Sequence, residues 1–368
     1  MNDRQRILSL LKGNAPDRVP WLGDLSYWVG AMESRGEVPR GFGSSPAYYD
    51  LHRQLGVGFY LQGYFPFTEK QDETVRIETS RVPGKRIRVI HTPAGSIREA
   101  WTSLPESFTE APTEHLVKSP DDLKVIRYMY EHTTYTPDYD EAKRREALVH
   151  DLGVVLCYSP KTPLMQLVVK EAGIENLTAC YVEAQDELEA TLAVMEAKCS
   201  EAMEIAAACP ADCVMIPENL SSEVVGKVFF NAYMRTCHEK WTARIHECGK
   251  SSFIHIDGTL RGLLPELGRA GFTVLEALTP SPVGDVAMSD MRALTGPGPI
   301  LWGGIPGSYF TPAVTDGEFD RYVRDVLEVM RREPRYVLGV ADQVPSDGLR
   351  RRVARVVELT TEFGRYGT

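Results

Sequence analysis

His255 and Asp257 stand two residues apart at the end of a short apolar run, Ser251-Ser252-Phe253-Ile254-His255-Ile256-Asp257-Gly258. In an extended chain alternate side chains share a face, so this imidazole and this carboxylate can point the same way. Carboxylates also end other apolar runs, at Asp24, Glu218, Glu276 and Asp342. Gathering several of them in one place is unfavourable unless something positive or hydrogen-bonding compensates the charge. A divalent metal is the economical compensator. Zinc takes histidine and carboxylate ligands and keeps one position open when it is catalytic, so His255 and Asp257 with some of Glu218, Glu276 and Asp342 would suffice. The plainer alternative is a histidine bonded to one neighbouring carboxylate, with Asp24 or Asp342 capping the next helix.

These residues need a scaffold that brings distant strand ends together. Short apolar runs that read as strands begin near residues 19, 57, 154, 213, 252, 272, 300 and 336, eight in all and mostly separated by amphipathic stretches. Gly56 to Leu61 is the second of them, and helices are expected over Pro163–Ala172, Asp186–Ala208, a long stretch ending at Cys248-Gly249, Gly317–Arg332 and Leu349–Phe363. Ser221, Ser222 and Glu223 offer a cap for the helix that ends at Gly249. Eight parallel strands alternating with helices predict a (β/α)8 barrel, whose active site lies at the C-terminal ends of the strands. Asp24, Ser159, Glu218, Asn219, His255, Asp257, Glu276, Gly304 and Asp342 all fall at or just beyond such ends.

One domain over residues 1–368 is expected, with an insertion at about 70–150. Thr74–Thr79 and Lys85–Ile90 alternate apolar and polar residues around Pro83-Gly84, and Thr92-Pro93-Ala94-Gly95 makes another turn, so an antiparallel β insertion precedes the regular part. Helical pieces follow near Asp121–Tyr130 and Tyr139–Ala147. Whether this insertion covers the site or decorates the scaffold is open. Gly303-Gly304-Ile305-Pro306-Gly307 can let a ligand approach the backbone at Gly304, and a tight turn explains it equally well.

The remaining features narrow the function class. With 368 residues, 43% hydrophobic, and a net charge of −10, the chain lacks the basic stripe that nucleic acid or an anionic membrane surface would need. No run is long and apolar enough to span a bilayer, and the first residues show no cleavable leader, so a cytoplasmic protein is expected. Seven cysteines without framework spacing fit reduced, buried thiols. His238, Glu239 and His246 lack zinc-protease spacing and read as a solvated helix face. Trp302, Tyr309 and Phe310 can line a pocket or simply pack.

The chain resembles the uroporphyrinogen decarboxylase superfamily, whose members are (β/α)8 barrels. The likeness runs through Arg4-Gln5-Arg6-Ile7 to Gly13, Pro16-Asp17-Arg18-Val19-Pro20, Thr92–Gly95, Val117–Leu123 and the segment from Pro217 to Asp257. True uroporphyrinogen decarboxylases carry an arginine-rich segment after the first strand that holds the substrate's carboxylates. Here Gly23-Asp24-Leu25-Ser26-Tyr27-Trp28 stands in its place, with no arginine until Arg35. The other branch comprises corrinoid-dependent methyltransferases, whose zinc motif resembles His-x-Cys-Gly with a later Cys after the last strand. His255-Ile256-Asp257-Gly258 and Asp342 occupy those positions, with aspartate in place of each cysteine.

Carboxylates suit a harder site and oxygen substrates better than thiols. The resemblance therefore implies a zinc or other divalent-metal methyltransferase of the O-demethylating kind. His255, Asp257 and Asp342 would be its ligands, Glu218, Glu276 and Asp24 its acid–base or coordinating groups, and Asn219 and Gly304 would contact the cofactor. Its partners would be a small-molecule methyl donor and a corrinoid protein supplying cobalamin, since the chain lacks the Asp-x-His-x-x-Gly signature of cobalamin-binding domains. A homodimer is left open. The runner-up is a metal-free decarboxylase or lyase acting on a smaller carboxylic acid.

Overall fold

The computed structural model describes residues 1–60 and 63–366. Six parallel strands, Leu156–Tyr158, Cys213–Leu220, Ser251–Ile256, Val274–Leu278, Ile300–Pro306 and Tyr336–Ala341, lie side by side in chain order. Two short extended segments close the ring. Trp21 bridges Leu338, Leu22 bridges Gly58 and Phe59 bridges Gly153, all in parallel. The bridges are made by real bonds: Leu338 N to Pro20 O (2.9 Å), Leu22 N to Leu338 O (3.1 Å), Gly58 N to Trp21 O (3.0 Å) and Phe59 N to Leu152 O (2.8 Å). The expected barrel is therefore present, with its seam at the first two strands. Leu61, assigned to the second of them, lies outside the described residues. Gly153 shows why the seam is glycine-rich, because a Cβ there would sit 1.6 Å from the carbonyl oxygen of Phe59.

Alternation sorts the strand residues into two layers. Leu22, Tyr60, Leu156, Cys213, Met215, Phe253, Val274, Ile300, Trp302 and Val337 fill the barrel interior. Ile7 and Leu10 join this cluster from the helix Asp3–Leu11. That helix is tied to the strand starts through Arg4, which bonds Gly153 O and Asp212, so it stops the N-terminal end of the barrel. Each of its buried aliphatic side chains contributes about 1.5–3 kcal/mol on leaving water. With that end closed, ligand access is confined to the other. The opposite strand faces, including Val214, Ile216, Ile254, Leu275, Leu301 and Leu338, pack against the surrounding helices.

Between the second and third barrel strands lies the insertion. Arg76–Val82, Lys85–Thr92, Gly95–Leu104 and Thr109–Glu114 form a four-stranded antiparallel sheet in sequence order. The fourth strand and a two-stranded ribbon of Phe67–Gln71 with Thr133–Pro137 were not expected from the sequence. The helix Pro120–Glu131 packs this sheet onto the helix Gln185–Ala208. At its far turn the sheet returns to the barrel: Tyr27 donates to Ser107 O (2.5 Å) and Arg35 lies 5.7 Å above the Phe108 ring. Both partners belong to the helix Ser26–Arg35 that follows Asp24.

Two local expectations need correction. No helix starts at Ser221 or Ser222; helices span Lys227–Tyr233 and Arg235–Glu247, and the first is entered through Gly226. Ser221 Oγ instead accepts from Val224 N within the loop (3.3 Å). His238 is not on a solvated face but is fully buried. All seven cysteines are free, as expected, and six are buried. Among the described residues no helix is long and apolar enough to cross a membrane.

Candidate metal centre

The strand Ser251–Ile256 pairs with Val274–Leu278 in a register that sets His255 beside Glu276. Both side chains face the barrel interior, one pleat beyond Phe253 and Val274. His255 Nδ1 lies 2.6 Å from Glu276 Oε2, and Tyr60 donates its hydroxyl to Glu276 Oε1 (2.6 Å). Glu276 is fully buried, and both of its oxygens are engaged. Because the carboxylate accepts from Nδ1, it fixes the imidazole with its other nitrogen facing the mouth.

Two aspartates meet that nitrogen. Asp257 Oδ1 is 3.5 Å and Asp342 Oδ1 3.7 Å from His255 Nε2. One donor atom from each of the three residues lies within 4.8 Å of the other two. Ligands bound at about 2.0–2.2 Å in a tetrahedral shell stand about 3.3–3.6 Å apart, so small shifts would close this group on one ion. The donor set fits a divalent metal in two respects: one imidazole with two carboxylates, and a carboxylate behind the imidazole.

The backbone that delivers these groups is unusual. Asn219, Ala277 and Asp342, each at a strand end, have φ of 55°, 64° and 73°. The pairing registers slip where the first two occur, between Ile216 and Leu220 and between Leu275 and Leu278. A left-handed alanine costs on the order of 1 kcal/mol, and such strain gathers where a site over-determines the chain.

The electrostatics follow from crowding. Burial alone would favour the neutral ring of His255, but Glu276 and Asp257 outweigh it and hold its pKa well above the ordinary value. Asp257 is half-buried, and although desolvation pulls the other way, its contacts with His255 and Asn219 lower its pKa. Asp24 is buried and accepts from Ser26 N (2.7 Å); burial pushes its pKa up to about 6 although that bond pulls the other way. Asp342 is also pushed up to about 6, by desolvation and by the nearby carboxylates against the pull of His255. More than half of the Asp342 side chain (56%) meets solvent, so water offsets part of that shift.

The other expected residues lie as follows. Glu218 alternates out of phase with Cys213 and Met215 and faces the helix layer, where it accepts from Thr162 N (3.1 Å) and pairs with His238 Nε2 at 2.8 Å. It is fully buried, as is His238, and neither is among the three residues that converge on one ion position. Asn219 turns to the mouth and donates Nδ2 to Asp257 Oδ2 (2.8 Å). Gly304 follows Gly303, both at positive φ, and a Cβ on Gly304 would meet the Tyr336 hydroxyl at 2.4 Å and Val326 at 3.3 Å. Its carbonyl accepts from Tyr322 (3.0 Å), so its contacts are with the helix Asp316–Met330 and the last strand.

Two residues were missed in the sequence. His238 shares a helix face with the apolar residues Trp241 and Ile245, a spacing that does signal burial. Lys161, three residues past the strand Leu156–Tyr158, carried no signal beyond its place after a strand end. The His238–Glu218 pair gives a test independent of any metal. His238→Leu leaves the buried Glu218 with Thr162 N alone and is expected to destabilise the protein by up to about 3–5 kcal/mol in urea unfolding. A change below about 1 kcal/mol would mean that water or another group already satisfies Glu218.

The uroporphyrinogen decarboxylase (URO-D) family profile matches residues 106–363. Three of the stretches that also suggested this likeness, Arg4–Gly13, Pro16–Pro20 and Thr92–Gly95, lie outside the matched residues. No curated protein matches the chain. Among solved structures, a methyltransferase from Methanosarcina mazei shares 15% sequence identity, with a TM-score of 0.62 and 99% of each chain covered. That likeness concerns the fold, and it spans the amino-terminal part as well. With most of its length matched by the family profile and the same closed barrel beneath its strand-end site, the chain belongs to the uroporphyrinogen decarboxylase family.

Proposed function

We propose that this protein is a metal-dependent methyltransferase that moves a methyl group from a small O-methyl donor to a corrinoid carried by a partner protein. The observation that carries the reading is the posture of His255, its Nδ1 held by Glu276 and its Nε2 facing Asp257 and Asp342. The methyltransferase from Methanosarcina mazei, similar over its whole length, supports the reaction class.

His255, Asp257 and Asp342 would hold the ion, zinc or another divalent metal. Such an ion polarises an oxygen and lowers the cost of its departure. In the proposed transfer the C–O bond would break with its electron pair on oxygen, the partner's reduced corrinoid would supply the electron pair for the new bond to the methyl group, and the oxygen would take up one proton. Asp24, with its pKa near 6, is placed to keep a proton available at the mouth when the pH is near that value. Glu276 keeps the imidazole oriented, and the packed interior below it, from Trp302 and Phe253 down to Ile7, excludes water from that side.

Following corrinoid absorbance with reduced cobalamin and a series of methyl ethers tests the reading. Methylation that stops with a chelator and returns with Zn2+ is expected; no transfer from any methyl ether would count against it. A metal-free decarboxylase or lyase is the second reading. What favours it is that a proton on His255 can itself satisfy Glu276 and Asp257. It requires CO2 release or elimination that is indifferent to chelators.

Metal binding should depend on pH in a defined direction. The proton on His255 Nε2 must leave before an ion binds, so apparent affinity rises with pH, by about tenfold per unit below the pKa of the ring. Below about pH 6 protonation of Asp342 steepens the fall. Zn2+ titrations at pH 5.5 and 7.5 check this, and equal affinities would contradict it.

A further inference from the structure

Lys161 is 7% exposed, and its Nζ bonds the carbonyl of Pro217 and, at 2.7 Å, Asn219 Oδ1. An ammonium only donates, so it requires the oxygen end of the Asn219 amide to face it. The amide nitrogen is thereby turned toward Asp257, whose Oδ2 it meets at 2.8 Å. That bond occupies one oxygen of Asp257 and leaves Oδ1 toward His255. The left-handed backbone at Asn219, φ 55°, brings the side chain between the two charged residues. Among the described residues no other charged side chain bonds this amide.

We infer that Lys161 is a positioning residue for the metal centre, acting through the Asn219 amide to hold Asp257 with a single oxygen presented to the ion. The inference rests on the metal reading above. Its distinguishing feature is the sign of the effect. A cation near a divalent ion repels it, so by charge alone the loss of Lys161 would strengthen metal binding. Loss of a group that orients a ligand weakens binding, by roughly 10–100-fold in known centres.

The test is a competitive Zn2+ titration of the full-length wild type, Lys161→Met, Asn219→Gly and the double variant, with folding checked by thermal melting. Methionine retains the apolar stem of the lysine, and glycine tolerates the left-handed backbone. Expected are a roughly tenfold or greater loss of affinity in each single variant, and a double variant no weaker than Asn219→Gly, because Lys161 acts through Asn219. Unchanged or tighter binding by a folded Lys161→Met overturns the inference and leaves the metal centre standing. Additive losses overturn the route through Asn219. A wild type that binds no Zn2+ overturns the metal reading and this inference with it.

Discussion

Replacing His255 by alanine is expected to abolish stoichiometric metal binding, with affinity for Zn2+ lowered at least about 100-fold and methyl transfer lost in proportion. The reason is geometric. His255 supplies the only nitrogen donor of the three converging residues, and it alone contacts both aspartates. Without it two like charges face each other with no imidazole between them. Metal analysis of the purified variant beside wild type, with circular dichroism to verify folding, checks this. Full metal content in the variant would place the ion elsewhere.

Glu276→Ala should produce a large loss of stability together with a loss of metal affinity. The carboxylate is fully buried and holds Tyr60 Oη and His255 Nδ1 at 2.6 Å each, so its removal strands a phenol and an imidazole in the barrel interior. Breaking a buried charged pair from one side costs about 3–5 kcal/mol. The same change frees the ring of His255 to turn, which adds a roughly 10–100-fold loss of metal affinity. Urea unfolding and Zn2+ titration measure the two effects separately. A variant as stable as wild type would show that the Tyr60–Glu276–His255 chain carries no structural weight.

Much of the barrel was legible in the chain because its strands are continuous apolar runs with helices between them. All eight strand positions near the barrel wall were located, including the two seam segments that pair through single bridges. The convergence of His255, Asp257 and Asp342 was also legible, since strand ends of a parallel barrel share one face. Side-chain direction was harder. Glu218 has the same chemistry as Glu276 and the same place at a strand end, yet it alternates to the opposite layer. Counting from Cys213 and Met215 would have revealed this. The left-handed residues at Asn219, Ala277 and Asp342 break strict alternation and were not visible in residue types, apart from the tolerance of Asn and Asp for that conformation. Lys161 and Asn219 meet only because two strand ends lie side by side, a pairing that spacing along the chain does not reveal.

The insertion shows the same division. Alternation and turn residues gave three of its strands, whereas Thr109–Glu114 and the ribbon of Phe67–Gln71 with Thr133–Pro137 are short, polar and exposed along much of their length. Their pairing partners, not their composition, make them strands. Tyr27 and Ser107 then link the sheet to the helix beyond Asp24, which favours a role for the insertion beside the mouth over one as remote ornament.

Anomalous diffraction from crystals of the zinc-loaded protein, recorded on both sides of the metal's absorption edge, addresses the central claim most directly. One peak within bonding distance of His255 Nε2, Asp257 and Asp342 is the result expected. A mouth without a peak, or a peak bound by other residues while His255 stays paired to the two aspartates, would contradict it.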